Sequence, residues 1–353
     1  MIITSDIDLA LREQTALVAQ NQVFILVDTN TRQHCLPIIE QTLTIPNEHI
    51  CCIPAGEEHK TLQTIELIWQ FLISQGATRK SLLINLGGGV LTDMGGFAAA
   101  TYMRGMPFLN IPTTLLGMVD AAAGGKTGFD YQGLKNQIGL FRTPKETIIY
   151  TAFLQTLDPH QVLSGFGEMI KHALISSPLE LAAISAFDIE QFINHPSSEC
   201  VEEAQELISR SIDIKNYIVE SDPEEMGMRQ TLNFGHTIGH ALEAYALQKG
   251  QPLLHGYAVI YGLIAELYLS HIKLGFPERD LQQVIHLMKQ YYGKYTCPCK
   301  SYDELITIMQ HDKKNTSQQE ITFTLLRTVG NYRLGCVCTP TEIKEALDAL
   351  FNC

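Results

Sequence analysis

The chain has 353 residues, which is long enough for two domains, and its 45% hydrophobic and 18% charged residues are typical of a globular protein. Its formal net charge of −13 disfavours a general binder of nucleic acid or of an acidic membrane surface, so we expect neither partner. The nine cysteines lack zinc-ribbon spacing, the first residues do not resemble a signal peptide, and no apolar run approaches the ~20 residues of a membrane span, so we expect a cytoplasmic protein with reduced thiols.

The first half of the sequence alternates short apolar runs with amphipathic helical patterns. Apolar residues recur at helical spacing from about 33 to 41 and from 61 to 74, which predicts two helices. The predicted strands are the apolar runs at 23–28, 49–53, 81–86 and 108–111. Strands and helices in alternation are typical of a parallel sheet covered on both faces. The sequence therefore predicts an α/β fold here, with a Rossmann-like parallel sheet.

The second half has a different pattern, because the apolar strand runs stop after about residue 157. Long amphipathic segments predict helices at 199–219, 231–246 and 257–273, and β-like runs return at 321–326 and 332–337. We therefore expect an α/β domain over 1–157, followed by a mainly α-helical domain over 158–353.

Glycines and polar residues follow the predicted strands, at the edge where open α/β sheets bind ligands. Gly87, Gly88 and Gly89 end the third strand and lead into a helix, whose N–H groups could bind a pyrophosphate. Their spacing is not GxGxxG, so a tight turn is an equally good interpretation. The other strands are followed by residues that could each be a helix cap or a turn former: Asp28, Asn30, Glu57, Lys60, Thr113 and Thr114. Together they favour a dinucleotide site over isolated turns.

Two glycine-containing stretches further along contain lysines. Residues 120–126 read DAAAGGK, and residues 133–136 read GLKN. Small residues let the backbone approach a ligand closely, and Lys126 and Lys135 could then contact a phosphate. A surface loop with solvated lysines is the alternative, and the residues alone leave both interpretations open.

The helical half contains a cluster of metal-binding residue types. In NFGHTIGH, His236 and His240 lie four residues apart and so on one helix face, and His255 follows later in the chain. Glu168 precedes them in GFGEMIK, where it could pair with Lys171 on a helix. Catalytic zinc commonly has three protein ligands, so this set predicts a metal site, and the lack of an HExxH glutamate disfavours a metalloprotease. Spacing alone leaves open whether both histidines of the pair bind the metal.

Read in chain order, these motifs resemble those of the 3-dehydroquinate synthase family, a group of sugar-phosphate cyclases. The matching pieces extend from VDTN at 27–30 to DKK at 312–314, and include GEEHK, GGGVLTD, PTTLL, GEMIKHA, NFGHTIGHALE and HGYAV. The resemblance implies an NAD-binding α/β domain and a helical domain that binds the substrate and a divalent metal, zinc or alternatively cobalt.

The resemblance also implies roles for individual residues. The metal ligands would be Glu168, His236 and His255. The catalytic residues would be His240, Glu225, Lys171 and Arg229, of which His240 and Glu225 would move protons. The substrate contacts would be Arg104, Asp120, Lys126, Asn136, Lys171, Lys215, Arg229, Asn233, His240 and Lys313. The NAD contacts would be Asp28, Asn30, Glu57, Lys60, Gly88, Gly89, Thr92, Asp93, Thr113, Thr114, Lys126, Lys135, Phe153, Thr156 and Leu157. Arg104 matches an arginine that reaches the neighbouring subunit, which implies a homodimer.

The family's reaction converts 3-deoxy-D-arabino-heptulosonate 7-phosphate into 3-dehydroquinate and phosphate, in the shikimate pathway. The resemblance implies transient oxidation of a substrate hydroxyl by NAD, β-elimination of phosphate, re-reduction, and intramolecular aldol closure. Cationic side chains would bind the phosphate and carboxylate groups, and the metal would act as a Lewis acid. The sequence departs from residues that are frequent in the family at three positions, Tyr257, Thr92 and Asp130. These departures leave the enzyme's rate and substrate affinity open more than the type of reaction.

Three other functions compete with this one. A polyol dehydrogenase that uses NAD and a metal would share the fold, but it would have little use for Lys126, Lys171, Lys215, Arg229 and Lys313 together. Another sugar-phosphate cyclase would act on a different phosphorylated sugar. A non-catalytic regulator should have lost ligands or proton-transfer residues, and none of the matched ones is lost here. The sequence therefore favours the dehydroquinate reaction.

Overall fold

The computed structural model describes residues 1–121, 124–132, 134–195, 197–310 and 320–352. The chain divides into two compact units, Met1–Val162 and Leu163–Cys353. The functional boundary after residue 157 stays a prediction. None of the helices in the described ranges is both long and apolar enough to cross a membrane.

The first unit is built on a six-stranded sheet in which all neighbouring strands run parallel. The strands of this unit are β1 Ile2–Ile3, β2 Val23–Asp28, β3 Ile50–Ile53, β4 Leu82–Gly87, β5 Phe108–Pro112, β6 Lys126–Tyr131, β7 Leu134–Phe141 and β8 Glu146–Ile149. The order across the sheet is β1-β8-β5-β4-β2-β3. The parallel α/β sheet predicted from the apolar runs is therefore confirmed, and β1 and β8 are added to its edge.

The remaining two strands, β6 and β7, form an antiparallel hairpin outside the sheet. Gly128 lies opposite Gly139 in its register, and a Cβ atom on Gly128 would lie 2.5 Å from the carbonyl oxygen of Ile138. The glycines therefore allow the two strands to pair closely. Lys126 and Lys135 consequently lie on strands rather than in a loop, and both side chains are exposed, so their contact with a phosphate stays a prediction.

The helices of the first unit are α1 Ile7–Thr15, α2 Thr29–His34, α3 Leu36–Ile39, α4 Leu62–Ser74 and α5 Gly89–Thr101. The single helix predicted from 33 to 41 is wrong in its start and its continuity. Helix α2 begins directly after β2, because Oδ1 of Asp28 accepts hydrogen bonds from the backbone N–H groups of Asn30 (2.9 Å) and Thr31 (2.8 Å). Pro37 then sits in the first turn of a new short helix, where its missing N–H group is tolerated.

The second unit is mainly helical. Its helices are α6 Pro159–Ser176, which begins just before the division between the units, α7 Pro178–Ala186, α8 Ile189–Asn194, α9 Ser198–Ser221, α10 His236–Gln248, α11 His255–Leu274, α12 Glu278–Tyr292, α13 Tyr302–Gln310 and α14 Pro340–Asn352. Strands β9 Ile321–Thr328 and β10 Asn331–Cys338 form an antiparallel pair, as the two late β-like runs predicted.

The helix predicted to begin at residue 231 starts later, at His236. Residues Met228–Asn233 form a 3-10 helix, and Gly235 then adopts a left-handed φ of 81° that separates it from α10. Helices α10 and α11 approach closely, because a Cβ atom on Gly262 of α11 would lie 1.9 Å from the carbonyl oxygen of Gly235. This approach positions the first turns of the two helices that carry the histidines.

Candidate functional site

Three buried or half-buried side chains of the second unit converge on one point. Glu168 lies on α6, His236 is the first residue of α10, and His255 is the first residue of α11. One potential ligand atom from each of the three lies within 4.8 Å of the other two. The Nε2 atoms of His236 and His255 are each 3.4 Å from Oε1 of Glu168. Two imidazole nitrogens and a carboxylate oxygen form a donor set that suits zinc.

The other ring nitrogens support a cation site. Nδ1 of His236 lies 3.1 Å from the carbonyl oxygen of Phe234, and Nδ1 of His255 lies 3.5 Å from Oε2 of Glu243. A histidine whose Nδ1–H group donates to such an acceptor presents a lone pair on Nε2. Oε1 of Glu168 is fully buried and has no hydrogen-bond partner among the described residues. Three lone-pair atoms directed at one buried point fit a divalent cation.

The ionisation of these groups follows from burial and mutual contact. Burial alone would raise the pKa of Glu168, but its neighbours, above all the Lys171 ammonium, outweigh burial and hold this pKa well below its usual range. Burial lowers the pKa of His236 to about 3, so this imidazole is neutral. Burial would also lower the pKa of His255, but the carboxylates of Glu168 and Glu243 outweigh it and raise this pKa to about 10. A bound cation would displace that proton, since metal and proton compete for the same nitrogen.

His240 lies one turn along α10 from His236. Its ring centroid is 5.2 Å from that of His236 and 5.9 Å from that of His255. The converging ligand atoms come from His236 and His255, and His240 is not part of that group in the described chain. The geometry therefore supports a different role for each histidine of NFGHTIGH, and the assignment of those roles stays a prediction.

Three cationic side chains of the second unit are buried. Lys171, Lys215 and Arg229 are 1%, 7% and 4% exposed, although lysine and arginine are almost never buried without anionic or polar partners. The Lys171 ammonium contacts the Glu168 carboxylate in an ion pair on α6. This ion pair is buried rather than solvated.

The segment after α9 carries Glu225, Arg229 and Asn233. Glu225 has a left-handed φ of 61°, and its Oε1 accepts a hydrogen bond from Nδ2 of Asn233 at 3.2 Å. Nη1 of Arg229 donates to the carbonyl oxygen of Pro223 at 2.9 Å. The structure therefore brings the predicted proton acceptor into contact with one predicted substrate residue.

In the first unit, Lys60 connects several predicted NAD and substrate contacts. Its Nζ donates to Oδ2 of Asp93 at 2.8 Å and to Oδ1 of Asn136 at 2.7 Å. Lys135 lies 3.3 Å from Oε1 of Glu57. Burial would lower the pKa of Lys60, but Asp93 and Glu57 outweigh it and raise this pKa, so the ammonium is charged.

The carboxyl ends of β2, β4 and β5 align because Val27 pairs with Leu86, and Gly87 pairs with Pro112. Gly88 precedes α5, and a Cβ atom on it would lie 3.0 Å from Cγ2 of Thr114. The glycine at this position therefore lets the start of α5 pack closely against Thr114. Asp28 serves as a helix cap, which does not prevent its second oxygen from binding a ligand.

The remaining predicted residues are distributed more widely. Asp120 lies in a turn of π-helix at Gly117–Ala121, Thr92 is buried on α5, and Phe153 is buried in the 3-10 helix Thr151–Thr156, which Leu157 follows. Thr113 is buried, Thr156 is exposed, and Arg104 is exposed with a left-handed φ of 68°. Lys313 lies outside the described residues.

Three acidic residues near these groups are missing from the sequence-based predictions. Glu243 contacts His255, Glu266 accepts hydrogen bonds from the first turn of α10, and Asp222 accepts hydrogen bonds from the segment that carries Arg229. Glu266 has a recognisable signal, because it is a lone acid within an apolar helix. The only sequence signal of Asp222 is its place in a turn-forming stretch, and that of Glu243 is its helical spacing. Neither signal is specific for a functional residue.

Comparison with known proteins gives matches over most of the chain. Residues 50–164 match the family model of the 3-dehydroquinate synthase N-terminal domain, and residues 165–315 match that of the C-terminal domain. A 3-dehydroquinate synthase from Parabacteroides distasonis is 44% identical over 348 residues, with 99% of this chain and 96% of the relative covered. One from Clostridium tetani is 35% identical over 348 residues, with 96% and 88% covered.

A similar solved structure is ValA, the 2-epi-5-epi-valiolone synthase from Streptomyces hygroscopicus subsp. jinggangensis, with NAD+ and Zn2+ bound. It has a TM-score of 0.84 and 25% sequence identity, and the match covers 99% of this chain and 95% of that one.

Proposed function

The chain belongs to the 3-dehydroquinate synthase family, and from this premise we propose that it converts 3-deoxy-D-arabino-heptulosonate 7-phosphate into 3-dehydroquinate and phosphate. It uses NAD and a divalent metal ion. When bound, NAD supplies reversible hydride transfer and the metal ion supplies Lewis-acid catalysis.

The observation that carries the proposal is the convergence of Glu168, His236 and His255, with the buried Lys171 ammonium against the Glu168 carboxylate. These three residues would hold the metal ion, and zinc suits their two nitrogen atoms and one oxygen atom. A simple polyol dehydrogenase would need the same ligands, but it would have no use for buried Lys171, Lys215 and Arg229. Buried cations of this kind suit a substrate with phosphate and carboxylate groups.

The chain's own residues bind the substrate and move its protons. Lys171, Lys215, Arg229 and Asn233 would bind the anionic groups of the substrate, together with Asp120, Lys126, Asn136 and Lys313. His240 and Glu225 would exchange protons with the substrate hydroxyls. Asn233 supports this role of Glu225 by donating a hydrogen bond to its Oε1 atom, which orients the carboxylate.

The first unit would bind NAD at the aligned carboxyl ends of β2, β4 and β5. The backbone at Gly88 and Gly89 can approach the pyrophosphate, and the start of α5 offers N–H groups for it. Lys60 would orient Asp93 and Asn136 through the two hydrogen bonds that it donates. The other predicted NAD contacts retain the roles that the family resemblance implies.

Three finer points belong to the same proposal. The metal in the cell would be zinc, with cobalt as a functional substitute. The protein would work as a homodimer, with exposed Arg104 reaching the neighbouring subunit. It would act in the cytoplasm, where its thiols stay reduced.

The test is a direct assay of the purified protein with the heptulosonate phosphate, NAD and zinc. We expect stoichiometric release of phosphate and formation of 3-dehydroquinate without accumulation of NADH, because the hydride returns to the substrate. Net NADH formation from a polyol without phosphate release would indicate a dehydrogenase instead. A folded, zinc-loaded protein that releases no phosphate would refute the proposal.

A further inference from the structure

The segment from the end of α9 into the 3-10 helix at Met228–Asn233 carries two residues of the proposed reaction, and one of them has an unusual backbone conformation. Glu225 lies in the left-handed region at a φ of 61°, which L-residues with side chains rarely adopt. Arg229 follows four residues later and is buried. Something in the surrounding structure must therefore hold this backbone in place.

Asp222 supplies the contacts that do so. Its Oδ1 accepts a hydrogen bond from the backbone N–H of Met226 at 3.0 Å. Its Oδ2 accepts from the backbone N–H groups of Gly227 at 2.7 Å and Arg229 at 3.0 Å. One carboxylate therefore binds three N–H groups that follow Glu225 in the chain. Because Asp222 itself precedes Glu225, these hydrogen bonds connect the two ends of the turn that contains Glu225.

The charge state of Asp222 suits this role. The backbone N–H of Arg229 contributes most, and with those of Gly227 and Met226 it holds the pKa of Asp222 below its ordinary value. The carboxylate is therefore an anion at neutral pH, and hydrogen bonds to an anion are stronger than those to a neutral acceptor.

Glu225 and Arg229 also form hydrogen bonds within the segment. The Glu225 carboxylate accepts from Asn233, and the backbone oxygen of Glu225 accepts from Nε2 of Gln230 at 3.3 Å. The guanidinium of Arg229 donates to Pro223 inside the same segment. Both functional side chains therefore extend from the stretch of backbone that the Asp222 carboxylate binds.

We propose that Asp222 is a positioning residue: through three backbone hydrogen bonds, its carboxylate places Glu225 for proton transfer and Arg229 for binding the anionic substrate. The inference rests on the proposed function, since it assigns Asp222 to the groups that act on that substrate. Asp222 itself contacts backbone and does not need to touch the substrate.

The experiment uses Asp222→Asn, which has the same shape but only one acceptor oxygen for three N–H groups. Exposed Glu224, in the same segment, provides the matched control variant Glu224→Gln. Both are compared with wild type for kcat, for KM of the heptulosonate phosphate and of NAD, and for thermal midpoint.

We expect kcat/KM for the phosphorylated substrate to fall on the order of tenfold to a hundredfold in Asp222→Asn, the size that misplaced reacting groups produce. The KM for NAD should not change, and Glu224→Gln should match wild type. A purely structural role would lower the thermal midpoint and leave the kinetic constants unchanged, and that result would overturn the proposal.

A double variant tests whether Asp222 acts through Glu225. Asp222→Asn should reduce the activity of Glu225→Gln by a smaller factor than it reduces that of wild type, because coupled residues are not additive. Equal factors in both backgrounds would contradict positioning of Glu225. If Asp222→Asn does not fold, Asp222→Ser takes its place under the same criteria. A wild-type protein that releases no phosphate would overturn the proposed function and this inference with it, whereas an unimpaired Asp222→Asn would overturn the inference alone.

Discussion

Glu266 offers a sharp test of how the second unit holds its histidine-bearing helices. It is fully buried on α11, and its carboxylate accepts from the backbone N–H of Gly235 at 2.7 Å and from that of Ile238 at 3.1 Å. These N–H groups belong to the start of α10, which has no side-chain cap of its own at Gly235. Glu266 therefore fixes the helix end that carries His236 against the helix that begins with His255.

Substitution of Glu266 by alanine removes both acceptors. Each buried donor without a partner costs about 1–3 kcal/mol, so the free energy of unfolding should fall by about 2–6 kcal/mol. Glu266→Gln keeps the shape and one oxygen, so we expect a loss of about 1–3 kcal/mol from the N–H group that then faces an NH₂ group. Such losses are large beside the ~5–15 kcal/mol that stabilise a typical domain.

Urea unfolding followed by far-UV circular dichroism measures these losses, and hydrogen exchange locates them at the amides of Gly235 and Ile238. The control is Glu206→Ala, whose side chain is 72% exposed and whose ion pair with Arg210 spans 3.8 Å, so its loss should stay below about 1 kcal/mol. If Glu266→Gln is as stable as this control and the two amides exchange at wild-type rates, the capping role is wrong.

Three further predictions follow from contacts in the two units. Gly262→Ala should destabilise the protein by about 1–3 kcal/mol or more, because the new Cβ would lie 1.9 Å from the carbonyl oxygen of Gly235, and wild-type urea unfolding would contradict this. Glu243→Gln should weaken zinc binding about 10–100-fold by removing the carboxylate that orients His255, and unchanged competition with a chromophoric chelator would show that the contact is not functional. Lys60→Met should weaken NAD binding, measured by calorimetry, because it removes the ammonium that holds Asp93 and Asn136 by hydrogen bonds. An affinity for NAD equal to that of wild type would exclude this role of Lys60.

The sequence predicts the sheet well where strands are buried on both faces. Strands β2 and β4 are buried along nearly their whole length and are mostly apolar, with Asn85 as the polar exception in β4, and their bounds are predicted to within a residue or so. Strand β1 has only two residues, and β8 begins with the polar residues Glu146 and Thr147, so neither contains an apolar run long enough to predict a strand. The sequence does not predict the hairpin β6–β7, because its glycines serve close strand pairing, a tertiary contact that composition does not reveal.

The residues of the site likewise divide into those that the sequence indicates and those that it does not. The metal-binding residue types and their order in the chain identify Glu168, His236 and His255 through the family resemblance, whereas the spacing of the histidine pair alone treats His236 and His240 alike. Helix α10 starts later than the sequence predicts because Gly235 adopts a left-handed φ. That conformation depends on the packing of Gly235 against α11. Glu243, Glu266 and Asp222 acquire their partners only when the helices pack and the chain turns, so the sequence does not show what they bind, although Glu266 stands out as a lone acid in an apolar helix.

The measurement that most directly tests the central claim is the zinc content of two variants, His236→Ala and His240→Ala, determined after identical loading and dialysis. The account predicts that His236→Ala loses bound zinc, because it removes one of the three converging ligand atoms. His240→Ala should retain zinc and lose phosphate release, because its side chain acts on the substrate. Equal loss of zinc in both variants, or retention of zinc in His236→Ala, would contradict the assignment of the metal to Glu168, His236 and His255.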